Sequence, residues 1–246
     1  MTSNSDIIIV GASIAGTSSA IALAPEGYHI LLLDRAIFPR DKPCSEGIMP
    51  QGVAILQTLG LLPEILAQGG IKVCGMRFRS LKGVWAEANF PPAVDGISFG
   101  VVMRRYYLDH LLLQRAKAFP NVTVREGFQV TEVLQEGQAV KGVAGHPMDF
   151  PNRHEVFHAP ITIGADGIHS VFHAQCGLTK TYLPRKRFGV TGHLKRVEGM
   201  SSYVEVLLHP DGEIYVAPCG QEISLVALLL EKRAWKLPHD KSLWYR

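Results

Sequence analysis

An α/β fold is predicted, opening on a β-α-β unit and carrying a second, mostly antiparallel β-sheet domain, and three observations predict it. An apolar run from Asp6 to Val10 is followed by a glycine-containing turn, a helical stretch from Ile14 to Ala24, and a second apolar run from Tyr28 to Leu33. Strand and helix signals alternate to about residue 66, and two later stretches are mostly strand-like. The 246 residues, 47% of them hydrophobic, suffice to bury one large core or two modest ones.

The first helix is ended by Pro25 and Gly27. Between Ile71 and Met103, Pro91, Pro92 and several glycines separate segments such as Met76 to Arg79 and Ser98 to Met103, which suit antiparallel strands. A helix is expected from about Tyr106 to Phe119, because Leu108, Leu111, Leu112 and Ala116 share one face, and Pro120 stops it. Strand-like segments follow from Val122 to Arg125, Phe128 to Val133, Ala139 to Val143 and Ala159 to Gly164. After about Arg187, strands from Tyr203 to Leu208, Glu213 to Pro218 and Glu222 to Leu228 are punctuated by Pro210-Asp211-Gly212 and Cys219-Gly220, a meander by turn chemistry. This pattern divides the chain into a discontinuous first domain, 1–70 and 104–186, and a second domain, 71–103 and 187–246.

Composition removes several function classes. Charged residues make up 19% and the net charge is +3, without a basic tract, so a nucleic-acid partner is not expected. The longest apolar run late in the chain, Leu225 to Leu230, is far short of the roughly 20 residues that span a bilayer, so no integral membrane segment is expected. It reads as a buried strand or a helix start. The first residues lack the basic stretch and cleavage pattern of a secretory signal, which suggests the cytoplasm. The four cysteines, Cys44, Cys74, Cys176 and Cys219, form no paired motif, which suits reduced thiols. None of the ten histidines has ligand spacing, so no metal is expected, and the Ser and His residues suggest no catalytic triad.

The turn Gly11-Ala-Ser-Ile-Ala-Gly16 carries the first chemistry. Gly11 suits a tight turn, Ser13 is small, and Gly16 permits close packing of helix on strand. Such a turn aims helix N–H groups at a pyrophosphate. Asp34 ends the second strand 23 residues after Gly11, close to the ~20 expected of a carboxylate that accepts ribose hydroxyls. Together they indicate a Rossmann-like FAD- or NAD(P)-binding domain, since both dinucleotides present an ADP moiety to the same turn.

Three further segments narrow that choice: Phe38-Pro-Arg-Asp-Lys-Pro-Cys-Ser-Glu-Gly-Ile-Met-Pro-Gln-Gly52, Met103-Arg-Arg-Tyr-Tyr-Leu-Asp109 and Ile163-Gly-Ala-Asp-Gly-Ile-His-Ser170. With the first motif they resemble the FAD-dependent monooxygenase and geranylgeranyl reductase group, which has the p-hydroxybenzoate hydroxylase fold. The resemblance runs from about Asp6 to Leu230, and its specificity lies in the order of the four motifs. It implies FAD as cofactor, held by Gly11, Ser13, Ile14, Ala15, Gly16, Asp34 and Arg35 in the first unit. By the same resemblance Arg105 lies near the flavin phosphates, with Arg104 a competing candidate and Leu108 and Asp109 serving the helix. Val130 presents backbone groups to the adenine edge. Asp166 lies near the pyrophosphate on the flavin side, although locally it reads nearly as well as the cap of a helix that starts near Ile168. Arg40, Lys42, Cys44 and Ser45, with Glu46, belong to a stretch that lies beside the isoalloxazine ring or the substrate in the family, and read locally as a solvated loop with a packed cysteine. The sequence departs from the family where Ser13 and Ser45 replace glycines and where His173 replaces an arginine.

Family chemistry implies reduction of FAD by NAD(P)H, followed by hydroxylation of a small-molecule substrate or by reduction of a prenyl double bond. No side chain is assigned as catalytic. The halogenase signature is absent around Trp85, Trp235 and Trp244, and the dipeptide Gly-Asp of the family's third flavin motif occurs nowhere. The expectation is therefore a C-terminally truncated chain whose flavin pocket lacks part of one wall, and a non-catalytic nucleotide-binding remnant remains a third reading. Substrate identity and oligomeric state are not encoded in any motif identified.

Overall fold

The computed structural model describes residues 5–44, 46–178, 187–220 and 222–231. The chain begins with β1 (Ile7–Val10), α1 (Ile14–Leu23) and β2 (Ile30–Leu33). It continues through β3 (Gly47–Ile48), α2 (Pro50–Thr58), α3 (Leu62–Ala67), β4 (Ile71–Val73), β5 (Gly75–Ser80), β6 (Trp85–Asn89) and β7 (Gly100–Val102). Then come α4 (Arg105–Lys117), β8 (Val122–Arg125), β9 (Phe128–Glu136), β10 (Ala139–Pro147), β11 (Glu155–His158), β12 (Ile161–Gly164) and α5 (Val171–Gln175). Four strands follow, β13 (Arg187–Lys195), β14 (Tyr203–His209), β15 (Gly212–Gly220) and β16 (Ile223–Glu231). These elements fall into two units: Met1–Lys42, Ile55–Ile65 and Arg104–Thr181 in the first, and Pro43–Ala54, Leu66–Met103 and Tyr182–Arg246 in the second.

The first unit is built on a four-stranded sheet in the order β12-β1-β2-β8. Its three strand pairs are parallel, with Ile8 facing Leu31 on one side and Thr162 on the other. Every residue of β1 and β2 is buried, as expected of parallel strands covered on both faces, and this explains their uninterrupted Ile, Val and Leu content. Burying each such aliphatic side chain contributes about 1.5–3 kcal/mol. One layer of this core joins Ile8, Val10, Leu31 and Leu33 to Phe128, Val130, Val133 and Val143 of the three-stranded antiparallel sheet β11-β10-β9, and to Phe172 of α5. The helix α4 buries Leu108, Leu111, Leu112 and Ala116, the face that the spacing predicts, together with Leu113.

The second unit holds a six-stranded sheet, β13-β16-β15-β14-β5-β6, and a three-stranded one, β3-β7-β4. The meander is present: β14, β15 and β16 pair antiparallel in sequence order. Val73, Val102, Ala217, Cys219 and Leu225 pack between elements of these two sheets as a separate core. The run from Leu225 to Leu230 is strand throughout. The segments around Met76 and Val101 enter different sheets, because β5 pairs with β6 and β14 while β7 pairs with β3 and β4.

Helix boundaries differ from the sequence expectation by one or two residues, with one instructive exception. Instead of a helix beginning near Ile168, a 3-10 turn spans Gly167–His169 and α5 starts only at Val171. The reason is a cap: Ser170 Oγ accepts a hydrogen bond from the His173 N–H at 3.3 Å, which sets the helix start after it. Among the described residues no helix is long and apolar enough to cross a membrane.

Candidate functional site

The turn after β1, Gly11 to Gly16, lies against the Gly164-Ala-Asp-Gly167 segment at the end of β12. Gly11 has φ +103°, a left-handed conformation that favours glycine, and its N–H donates to the Leu33 carbonyl at 2.7 Å. A Cβ at Gly11 would lie 2.3 Å from the Ala165 carbonyl oxygen and 2.9 Å from the Asp166 nitrogen. Ala165 in turn donates its N–H to the Val10 carbonyl at 2.7 Å. Gly16 is equally constrained, since a Cβ there would lie 1.8 Å from the Gly11 carbonyl oxygen. The two glycines therefore let α1 begin directly over the end of β1, with the segment after β12 alongside. The first N–H groups of α1, those of Ile14, Ala15 and Gly16, have no partners within the helix and point out of its N-terminus.

A buried charge knot sits beside this terminus. Arg105, at the start of α4, donates from Nε to Asp109 Oδ1 at 2.7 Å and from Nη2 to Asp109 Oδ2 at 2.8 Å. Its Nη2 also donates to Ser13 Oγ, and Ser13 Oγ donates to Asp109 Oδ2 at 3.2 Å. A second guanidinium, that of Arg40, reaches Asp109 Oδ2 with its Nη1 at 2.8 Å. Arg105 and Asp109 are both buried, Asp109 completely. A single carboxylate thus faces two guanidiniums, and the knot carries net positive charge in surroundings where charge is weakly screened. Lys42 is exposed as a residue, yet its ammonium is held below the ordinary lysine pKa by partial burial and by the repulsion of Arg105 and Arg40, which Asp109 and Asp34 oppose. This region of the first unit therefore has a surplus of cations at a helix N-terminus.

The other residues expected at the site take definite places. Asp34 accepts the Ala12 N–H at Oδ2 and the Ala36 N–H at Oδ1, both at 2.7 Å, so it braces the glycine turn, and each oxygen retains a lone pair for a further donor. Arg35 beside it is exposed. Arg104 lies at the N-cap of α4 and meets exposed Asp41 at 3.3 Å. Asp166 accepts the Val171 N–H at Oδ2, 2.8 Å, while its Oδ1 is buried and unbonded. The capping role and a place next to Gly11 are thus combined in one residue. Val130 is buried in β9, and its carbonyl already accepts from the Gln129 side chain at 2.9 Å. Cys44 is half-buried and belongs to the second unit, and Ser45 lies outside the described residues. His173, where the family has arginine, is on α5 with its backbone N–H in the Ser170 cap.

Two groupings escape sequence reasoning. Asp109 is assigned there only to the helix, although its i, i+4 spacing from Arg105 was a legible signal. The buried Glu46 side chain meets His193 Nε2 at 2.9 Å next to Cys219, residues too far apart in sequence for any spacing rule to join. None of the four cysteines is in a disulfide.

Residues 4–239 match the family model described as an FAD binding domain. The chain belongs to the FAD binding domain family. This agrees with the resemblance drawn from the four motifs and with the p-hydroxybenzoate hydroxylase type of fold. Among family-like relatives, a menaquinone reductase of Mycobacterium tuberculosis is 35% identical over 109 residues, 43% of this chain and 25% of the relative. Squalene monooxygenase 1,2 of Brassica napus is 34% identical over 175 residues, 67% of this chain and 32% of the relative. The matched region thus spans between a quarter and a third of the length of these curated relatives. Of solved structures, a flavoprotein/dehydrogenase of Cytophaga hutchinsonii matches with TM-score 0.83 and 23% identity, covering 94% of this chain and 56% of its own. PqsL of Pseudomonas aeruginosa, crystallised in complex with 2-aminobenzoylacetate, matches with TM-score 0.78 and 18% identity, covering 94% of this chain and 62% of its own. At such identities the likeness establishes the fold.

Proposed function

We propose that this chain holds the ADP half of FAD at the N-terminus of α1 and forms part of an NAD(P)H-dependent flavin monooxygenase acting on a small organic substrate. The observation that carries the reading is the buried Ser13–Arg105–Asp109–Arg40 knot beside the α1 terminus. Its residues fit the pyrophosphate. Gly11 and Gly16 leave no room for side chains at the turn, the helix N–H groups point outward, and Arg40, Lys42 and Arg105 give a cationic surplus for a dianion.

Each residue has a task in that reading. Asp109 is hydrogen-bonded to Arg105 and stands 2.8 Å from Arg40 Nη1, so both guanidiniums are held near the α1 terminus before the ligand arrives and little ordering entropy is lost on binding. Ser13 is at the helix terminus beside Arg105, and its one hydroxyl proton turns from Asp109 Oδ2 to a phosphate oxygen when the ligand binds. Asp34 accepts ribose hydroxyls while it braces the turn. Asp166 offers its unbonded Oδ1 as an acceptor next to Gly11. When bound, FAD supplies hydride and electron transfer and, once reduced by NAD(P)H, activation of oxygen. The protein's contribution is position and the exclusion of water.

The similarity to menaquinone reductases favours a second reading, reduction of a prenyl double bond. Both menaquinone and squalene carry isoprenoid chains, so an isoprenoid alkene is the first substrate to test for either. The purified chain loaded with FAD and given NADPH and such an alkene should consume oxygen in proportion to product if it is a monooxygenase. Saturation of the alkene under anaerobic conditions would replace that reading with the reductase one. A chain that never acquires flavin absorption on addition of FAD would overturn both.

A further inference from the structure

We propose that Glu46, His193 and Cys219 form a binding site for a thiophilic divalent metal ion of the zinc class in the second unit. All three residues belong to the second unit, and none takes part in the Ser13–Arg105–Asp109–Arg40 knot. Their ligand atoms, one carboxylate oxygen, one imidazole nitrogen and one sulfur, all lie within 4.8 Å of one another. Glu46 Oε2 and His193 Nε2 lie 2.9 Å apart. Bond lengths to zinc of about 2.0–2.3 Å in a tetrahedron would place such atoms about 3.3–3.6 Å apart. The 2.9 Å pair must open and no pair exceeds 4.8 Å, so side-chain adjustments on the order of an ångström would close the site.

The local structure aims these groups on purpose-built backbone. Glu46 directly precedes β3 with φ +58°, a left-handed conformation rare for a non-glycine residue. Its carbonyl accepts the Met103 N–H at 3.2 Å, which ties this strained residue to the strand ladder of β7. The result is a carboxylate that is 4% exposed. Cys219 falls at the register shift between Pro218 and Gly220 in the pairing of β15 with β16, a bulge that re-aims a side chain. It is 4% exposed and packs with Val73, Val102, Ala217 and Leu225. His193 on β13 is directly opposite Leu225 on β16, which is itself opposite Ala217 on β15, so the imidazole stands in the same cross-strand row as two of those core residues. Its side chain is 25% exposed, enough to admit an ion and to leave one coordination position to water.

The donor set selects the metal. A thiolate and an imidazole favour zinc and its transition-metal neighbours over magnesium or calcium, which require six or more oxygen ligands. An ion here would replace the proton between Glu46 and His193 and the thiol proton of Cys219, and the aliphatic surroundings of Cys219 would protect the metal–sulfur bond.

The test uses the whole chain. Equilibrium dialysis against zinc, followed by elemental analysis, should give one ion per chain, and cobalt should produce a thiolate-to-metal charge-transfer band. Cys219→Ser and His193→Ala should each abolish stoichiometric binding, whereas Cys74→Ser, at an exposed thiol, should leave it unchanged. Should either variant fail to fold, X-ray absorption at the zinc edge of the unaltered chain decides: one sulfur ligand should appear beside nitrogen and oxygen. No stoichiometric zinc, a cobalt spectrum without the sulfur band, or a zinc edge without sulfur would each overturn the proposal.

Discussion

Arg105 and Asp109 form a two-point ion pair, Nε to Oδ1 at 2.7 Å and Nη2 to Oδ2 at 2.8 Å, inside the first unit. Asp109 is the hub, because it also neutralises Arg40 and accepts from Ser13. Asp109→Asn removes the only negative charge of the knot and leaves two guanidiniums facing one amide. A loss of roughly 3–5 kcal/mol is expected, the cost of stranding buried charge. Urea denaturation followed by circular dichroism measures it, and a change below about 1 kcal/mol would mean the pair is dispensable.

Gly11 is the second point of leverage. In Gly11→Ala the new Cβ would meet the Ala165 carbonyl oxygen at 2.3 Å on a backbone with φ +103°, so the turn and the segment after β12 must separate. FAD affinity should fall by about 100-fold, equivalent to about 2.7 kcal/mol. Quenching of flavin fluorescence on titration gives both affinities, and equal values for the two proteins would refute the close-approach role.

Much of this site was readable in sequence, for stated physical reasons. The glycine turn, Asp34 and the apolar strands are local patterns, and the backbone physics that demands them acts over a few residues. Arg105 stands out by its motif, and the structure shows it hydrogen-bonded to Asp109 and to Ser13. Ser13 illustrates a gain from departure, since the hydroxyl in place of a family glycine completes the knot. The helix expected at Ile168 failed because a Ser170 cap outweighed local propensity. Glu46, His193 and Cys219 were invisible, because sheet register and a bulge, set by tertiary packing, bring them together.

Lys42 reports the charge surplus. Its folded pKa is lowered by burial, then by Arg105 and Arg40, from an ordinary value of 10.5. The unfolded chain therefore binds this proton more tightly, and Lys42 contributes stability that increases as pH rises from its folded pKa to its unfolded one. An added anion reverses the imbalance. Carbon-13 spectra of reductively methylated lysine should show the Lys42 pKa rising when ADP is added, and a fixed pKa would place the nucleotide elsewhere.

Tyr215 provides a check on the second unit alone. Its hydroxyl donates to Glu213 at 2.5 Å, and this bond, with burial and the Glu213 charge, raises its pKa to about 12 from 10.0. Because the folded state holds the proton more tightly, the associated stability is complete below pH 10 and is lost as pH rises through about 12. Ultraviolet difference titration of the chain against Tyr215→Phe should isolate this late transition, and Glu213→Gln should move it toward 10.0. A Tyr215 transition already at 10.0 would deny the bond.

The central claim, that the α1 terminus with Ser13 and Arg105 receives the pyrophosphate of FAD, is tested most directly by calorimetric titration of the chain with FAD, ADP and riboflavin. FAD should bind one to one, ADP should compete with it, riboflavin should not displace it, and Ser13→Asp, which sets a carboxylate against the phosphates, should abolish binding while the circular dichroism spectrum is kept. FAD binding that ADP cannot displace and that Ser13→Asp leaves intact would contradict the account.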